Sequence, residues 1–258
     1  MSTSAMIELG ERLAAAWASG EPLPSLPRDQ MPQSTEEAYA AQGALIARLV
    51  PRLGPIVGWK VGAASPTAEP NAAPLLADLV QRGPARFGGR RLRLRGIEAE
   101  LAFRIARSLP ARREPYGETE VAAAIQSIHP AIELVETRFA DWQATPPFAK
   151  LADTQSNGGF CFGRGQTDWR TLDLVQQKVT LEIDGKRVAE AQGGNAAGHP
   201  LRLLVWLANH AGRLGRGLAA GDIITTGSHT GLVFAHAGAR VAARVATIGE
   251  VNLDLSET

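Results

Sequence analysis

The stretch IEAELAFRI, residues 97–105, sets Glu98 and Glu100 two positions apart inside an otherwise apolar run. On a β-strand, residues i and i+2 share a face roughly 7 Å apart. Glu98 and Glu100 therefore project together, while Ala99 and Leu101 face the opposite way. Burying a carboxylate without compensation costs several kcal/mol or neutralises it. Two at this spacing also raise each other's pKa unless a positive charge sits between them. A hard divalent cation, Mg²⁺ or Mn²⁺, suits such oxygen donors. HPAIELVETRF, residues 129–139, offers Glu133 as a third ligand, with Glu136 on the other strand face and so in a different role. The competing reading pairs Glu98 and Glu100 with the arginines of RRLRLR, residues 90–95, on a solvated face. Three carboxylates without a His or Cys cluster argue against zinc.

Outward from this stretch, alternation and turn chemistry recur. Strands are expected at PIVGWKVGA (55–63), RRLRLRG (90–96), HPAIELVE (129–136), KVTLEIDGKRVAE (178–190), DIITTGS (222–228) and RVAARVATIGEVNLDL (240–255). Asp184-Gly185 signals a hairpin. Helical spacing opens the chain: Met6–Ala18 carries Ile7, Leu13, Ala14 and Trp17 on one stripe. After a proline-rich connector (21–33), Ser34 starts a second helix through a capping box with Glu37, and Pro51–Gly54 stop it. Two further helices are expected at Thr119–Ser127 and Pro200–Leu214, the latter capped by His199. The sum is an α+β fold with a mixed or mostly antiparallel sheet. A helical segment, 1–54, packs on a β-rich catalytic domain, 55–258.

A chain of 258 residues can bury a full core, and a net charge of +1 advertises neither nucleic acid nor membrane as partner. The arginine stretch, with Arg91, Arg93 and Arg95 on one strand face, lacks the interleaved aromatics of a nucleic-acid surface. It fits edge protection, solubility or a subunit contact. The single Cys161 excludes an intrachain disulfide and fits a reducing, cytoplasmic location. Glu8, Glu11 and Arg12 interrupt the N-terminal apolar run, against a signal peptide, and no uncharged apolar segment reaches the ~18 residues of a membrane span.

Other residues carry chemistry by type and setting. Lys60 in GWKVG lies between Gly58 and Gly62, which permit close approach of backbone or ligand. It can orient an anion or act as an acid, or simply reach out from an edge strand. Asp78 in PLLADLV is a candidate base or a helix cap. Gln155, Ser156 and Asn157, with Ser228, His229 and Thr230 in GSHTG, set polar groups beside glycines whose backbone can meet a carboxylate. Asn195 lies in GGNAAG, a loop able to close over a substrate. Each also reads as a turn residue satisfying its own backbone.

Seven stretches in order, EAYAAQ (37–42), GWKVGAAS (58–65), IEAELAF (97–103), AIELVETR (131–138), DTQSNGGFCFG (153–163), GHPLRLLVWLAN (198–209) and AGDIITTGSHTG (220–231), resemble one family. The chain is similar to the hydratase/decarboxylase branch of the fumarylacetoacetate hydrolase superfamily, as in the 2-keto-4-pentenoate hydratases and 4-oxalocrotonate decarboxylases of aromatic meta-cleavage pathways. The resemblance implies a rolled mixed β-sheet with helices around it, in a homo-oligomer that can associate with a pathway decarboxylase or hydratase. It implies Mg²⁺ or Mn²⁺ on Glu98, Glu100 and Glu133, gripping a 2-oxo acid through its carboxylate and 2-oxo oxygens. It also implies substrate contact by Lys60 and proton transfer by Asp78. Ser156, Asn157, Asn195, Ser228 and His229 are the expected substrate-binding residues. The implied reaction is hydration of 2-hydroxypenta-2,4-dienoate to 4-hydroxy-2-oxopentanoate, with decarboxylation of a vinylogous 2-oxo acid as the alternative. C–C hydrolysis of an acylpyruvate fits less well, since no histidine precedes His129. The chain reads GAAS and VETR where the hydratases often read GLTS and VDSR, so the substrate can differ from pentenoate.

Overall fold

Residues 3–24, 26–89, 92–214 and 216–257 are described by the computed structural model. Helices α1 (Thr3–Ser19) and α2 (Thr35–Leu53) cross closely at Gly10, where a side chain would meet the Ala41 carbonyl. The Ser34 hydroxyl accepts from the Glu37 amide at 3.3 Å, and the Glu37 carboxylate accepts from the Gln33 amide at 2.7 Å. Pro51 does not stop α2: it lies inside the last turn, and Gly54 at φ 76° ends the helix. Met6, Leu9, Leu13, Leu45 and Leu49 form a core of their own that closes over Leu76 and Phe139.

The remaining chain builds two sheets. Its strands are β1 (Ile56–Gly62), β2 (Asn71–Leu76), β3 (Val80–Arg82), β4 (Ala85–Phe87), β5 (Gly96–Ile105), β6 (Ile125–Val135), β7 (Asn157–Phe162), β8 (Lys178–Ile183), β9 (Lys186–Gln192), β10 (Ile223–Ser228), β11 (Val233–Phe234), β12 (Arg240–Val245) and β13 (Gly249–Leu255). The larger sheet runs β2-β1-β10-β5-β6-β7-β3 with β11 beside β5; the smaller runs β4-β13-β12-β8-β9. Three pairs, β1–β10, β3–β7 and β4–β13, are parallel and the others antiparallel. The β8–β9 hairpin turns at Asp184 and Gly185, both at positive φ.

Three helices complete the fold: α3 (Glu118–Ala124), α4 (Pro147–Ala152) and α5 (Pro200–His210). The expected helix Thr119–Ser127 ends at Ala124, because Ile125 already enters β6. His199 caps α5 as expected, its ring accepting from the Leu201 amide at 3.3 Å. The expected strand RRLRLRG is corrected: Leu92–Arg95 form a loop in which Arg95 takes φ 49°. Arg90 and Arg91 lie outside the described residues. The loop is held because the Glu136 carboxylate accepts from the Arg93 and Leu94 amides, which outweighs the local alternation.

Period-2 alternation along β5 divides its side chains. Ile97, Ala99, Leu101, Phe103 and Ile105 face the second sheet and pack in one core with Val179, Leu181, Val241, Ala243 and Leu253. Burying each of the large ones stabilises by about 2–3 kcal/mol. Glu98, Glu100 and Ala102 are thereby committed to the other face. Ala102 packs there with Ala131, Phe160 and Ile223.

Candidate metal centre

Five adjacent strands, β1, β10, β5, β6 and β7, bring Lys60, Thr225, Glu98 with Glu100, Glu133, and Asn157 to one face. Register does the assembly. Glu98 lies directly across from Glu133, Glu100 from Ala131, and Lys60 from Thr225 on the parallel neighbour. Trp59 and Val61, flanking Lys60, are buried in the opposite core, which fixes the direction of the lysine. Gly58 lets β1 approach β10, since a Cβ there would stand 2.0 Å from the Ile223 carbonyl oxygen.

One oxygen from each of Glu98, Glu100 and Glu133 lies within 4.8 Å of the others. Like charges facing each other across a ladder are destabilising. Burial, then the charge of Glu133, pushes the Glu98 carboxyl up to about 7, with Lys60 opposing. Glu100 is raised well above the usual carboxylate range, by burial first and then by Glu133 and Glu98, although the Thr225 hydroxyl donates to it. The Lys60 ammonium donates to Glu133 Oε1 and, at 2.9 Å, to the Gln155 carbonyl. Asn157 donates to the same Glu133 oxygen at 3.1 Å. Glu133 Oε2 is buried with no hydrogen-bond partner. Among the described residues, no arginine pairs with the three glutamates, and Glu100 and Glu133 are buried where the salt-bridged alternative needs a solvated face.

The Gln155 carbonyl reaches Lys60 through a turn in which Thr154, Gln155 and Ser156 all have positive φ, between 51° and 60°. Such backbone costs about 1–3 kcal/mol per residue and persists only where the surroundings impose it. Here Arg138 and Asp153 do so. Asp153, wholly buried, takes the Arg138 side chain and its amide, and the Thr137 hydroxyl. The same guanidinium donates to the carbonyls of Asn157 and Asp153, each at 2.6 Å, and to Thr154 Oγ1 at 3.1 Å. Sequence reading assigned no role to this pair. A basic residue closing the apolar AIELVETR was its one local signal.

A cavity of about 180 Å³ is lined by the three glutamates, Lys60, Gly62, Gln155 and Gly227. Glu98 and Gln155 also border an adjoining cavity of about 320 Å³, together with Ser156. Asn157 thus touches the glutamate cluster and Ser156 the outer cavity. The Asn195 side chain instead ties its loop to β10, donating to the Thr226 carbonyl at 2.7 Å. Ser228 lies across from Glu100 in register, its hydroxyl donating to Gly231. His229 is buried, with Nδ1 unpartnered and its ring pushed down to about 4 by burial. Asp78 borders a separate cavity with Arg93, Glu136 and Arg138, apart from the glutamates. Glu136 follows the end of β6 and holds backbone amides there.

A hard divalent cation fits this set. The donors are all oxygens, one carboxylate oxygen is buried and unpartnered, and two carboxyls are held abnormally basic by burial and mutual repulsion.

Residues 84–255 match the family model described as Fumarylacetoacetate (FAA) hydrolase C-terminal. A 2-keto-4-pentenoate hydratase of Burkholderia vietnamiensis (strain G4 / LMG 22486) is 32% identical over 161 residues, 62% of this chain and 60% of that one. A 4-oxalocrotonate decarboxylase of Pseudomonas sp is 28% identical over 159 residues, 60% of this chain and 59% of that one. The alignments thus span about three fifths of these curated relatives. The fold is matched over 99% of this chain and 98% of the other by 4-oxalocrotonate decarboxylase from Pseudomonas putida G7 complexed with magnesium and adipate, at TM-score 0.86 and 24% identity.

Proposed function

The chain belongs to the fumarylacetoacetate hydrolase C-terminal family, and on that premise we propose that it is a divalent-metal-dependent lyase adding water to a 2-hydroxydienoate, as 2-keto-4-pentenoate hydratases are named for doing. The observation that carries the reading is the convergence of Glu98, Glu100 and Glu133 beside Lys60, with one Glu133 oxygen unpartnered. These three carboxylates are the proposed ligands. When bound, Mg²⁺ or Mn²⁺ supplies Lewis-acid chemistry, polarising the 2-oxo carbonyl of the substrate.

The chain's own groups act around that centre. Lys60, fixed between Glu133 and the Gln155 carbonyl, is a charged donor at the edge of the cavity and the proposed source of the proton delivered to the diene carbon. Asn157 holds Glu133 in place. The strained turn at Gln155 fixes the carbonyl that positions the ammonium. Asp78 borders the other cavity, away from Glu98, Glu100 and Glu133, and the proposed proton transfer falls to Lys60 alone. A carboxy-lyase reaction of a vinylogous 2-oxo acid is the second reading, supported by the decarboxylase among the relatives. A homo-oligomer belongs to the same proposal and is tested by light scattering.

The test is an assay with Mg²⁺ or Mn²⁺ of freshly generated 2-hydroxypenta-2,4-dienoate and of 4-oxalocrotonate. Dienol loss without CO₂ supports the hydratase, and CO₂ release supports the decarboxylase. Turnover of neither, or full activity of Glu98→Gln, overturns the proposal.

A further inference from the structure

The two cavities meet at a side chain whose own oxygen is left without a partner. Gln155 borders both the inner cavity of the glutamates and the outer one. Its backbone carbonyl accepts from Lys60 at 2.9 Å. Its side-chain Nε2 donates to Asn71 Oδ1, and Asn71 also borders the outer cavity. That bond orients the amide: Oε1 is left over, buried, with no hydrogen-bond partner among the described residues. The backbone beneath it is constrained as well, at φ 53°.

A buried carbonyl oxygen without a donor costs about 1–3 kcal/mol, and a water or a ligand is what commonly satisfies such an atom. The oxygen only accepts, so its complement carries an O–H or N–H. Donors of the site are committed elsewhere: Lys60 to Glu133 and the Gln155 carbonyl, Asn157 to Glu133, and the Trp142 indole to Ser156 at 3.2 Å. A 2-oxo acid held at the glutamate end keeps its oxygens there, and its hydrocarbon tail carries no donor. The donor that the hydration itself brings is water, which becomes the hydroxyl at C4. Relative to the 2-hydroxydienoate, C4 gains that hydroxyl, C5 and C3 each gain a hydrogen, and the C2 hydroxyl gives one up. The net change is one water, with no oxidation or reduction.

We propose that Gln155 Oε1 accepts a hydrogen bond from the water that attacks C4 and from the C4 hydroxyl of the product, with Asn71 holding the amide in that orientation. This rests on the preceding reading of the glutamates as the end that binds the 2-oxo acid group. One residue then places both partners of the addition. Its main chain positions the Lys60 ammonium, the source of the hydrogen at C5, and its side chain positions the water oxygen. As a neutral amide, Gln155 orients the water and takes no proton from it. Asn71 acts through Gln155 and is a positioning residue.

The experiment measures binding of 4-hydroxy-2-oxopentanoate and of 2-oxopentanoate to the Mg²⁺-loaded full chain by calorimetry. These probes differ by the C4 hydroxyl alone. The wild type is expected to bind the hydroxy acid about three- to tenfold more tightly, the range of one neutral hydrogen bond. Gln155→Leu, which keeps the backbone carbonyl, removes the preference by weakening the hydroxy acid alone, and Asn71→Ala reduces it in the same way. Mn²⁺ affinity is unchanged in both variants. Equal binding of the two acids by the wild type, or a preference that survives Gln155→Leu, overturns the proposal. Loss of Mn²⁺ affinity in Gln155→Leu also overturns it, since the amide would then be a metal ligand. Where Gln155→Leu does not fold, Asn71→Ala decides, and a preference as large as the wild type's overturns the proposal. Failure of both acids to bind in Mg²⁺ overturns the reading of the glutamates, and the role of Gln155 falls with it.

Discussion

Replacing Glu98 by Gln in the metal-free protein should make it more stable, and the gain should depend on pH. Burial and the facing Glu133 hold the Glu98 carboxyl at about 7 instead of 4.5. At ~1.4 kcal/mol for each tenfold change in proton affinity, ionising it at pH 8 costs the folded state about 3 kcal/mol. Because Glu98 keeps part of its surface in water, this is an upper bound. A folded value above the unfolded one means that the favourable contribution is complete below about 4.5 and is lost as pH rises through about 7. The wild type in EDTA should thus lose stability between pH 5 and 8, whereas Glu98→Gln loses less. Calorimetric melts at pH 8 should place the variant higher by up to roughly 6–12 °C, at about 2–4 °C per kcal/mol for a chain of this size. Added Mg²⁺ should reverse the order, since ligand binding stabilises only the protein that retains all three carboxylates. A wild type as stable as the variant in EDTA at pH 8 would refute the electrostatic account. A variant stabilised by Mg²⁺ as strongly as the wild type would refute the ligand assignment.

Removing one partner of the buried Arg138–Asp153 pair, as in Arg138→Met, should cost about 3–5 kcal/mol in denaturant unfolding and disorder the turn that presents the Gln155 carbonyl. Lys60→Met should lower kcat by about two to four orders of magnitude while Mn²⁺ affinity, read by calorimetry, holds or tightens, because the lost charge is positive. Gly58→Ala should destabilise by several kcal/mol or fail to fold, seen as loss of the cooperative melt, since its Cβ would stand 2.0 Å from the Ile223 carbonyl oxygen.

Much of the site was legible locally. The alternation of IEAELAFRI announced two carboxylates on one face, and the structure puts them there because the odd positions of β5 are buried in the inter-sheet core. Glu133 was legible as an acid in an apolar strand. The caps at Ser34 and His199 and the Asp184-Gly185 turn also follow from near-neighbour chemistry. Local reasoning failed where a distant group overrode it. RRLRLRG alternates as a strand does, yet Glu136 takes the Arg93 and Leu94 amides and leaves a loop. Strands β2, β3, β4, β7 and β11 were missed because they are short or interrupted by proline and glycine. Partners far along the chain supply the pairing of β3 and β4.

The sequence by itself determined which side chains share a face, since the period of a strand is a property of a few consecutive residues. Only the tertiary structure decided which faces meet. The β5–β6 register sets Glu133 across from Glu98, the parallel β1–β10 pairing brings Lys60 alongside, and the Arg138–Asp153 pair bends Gln155 toward it. Those choices depend on apolar surface buried between segments far apart in the chain, as when Trp59 of β1 packs in one core with Leu253 of β13, and no local pattern encodes them.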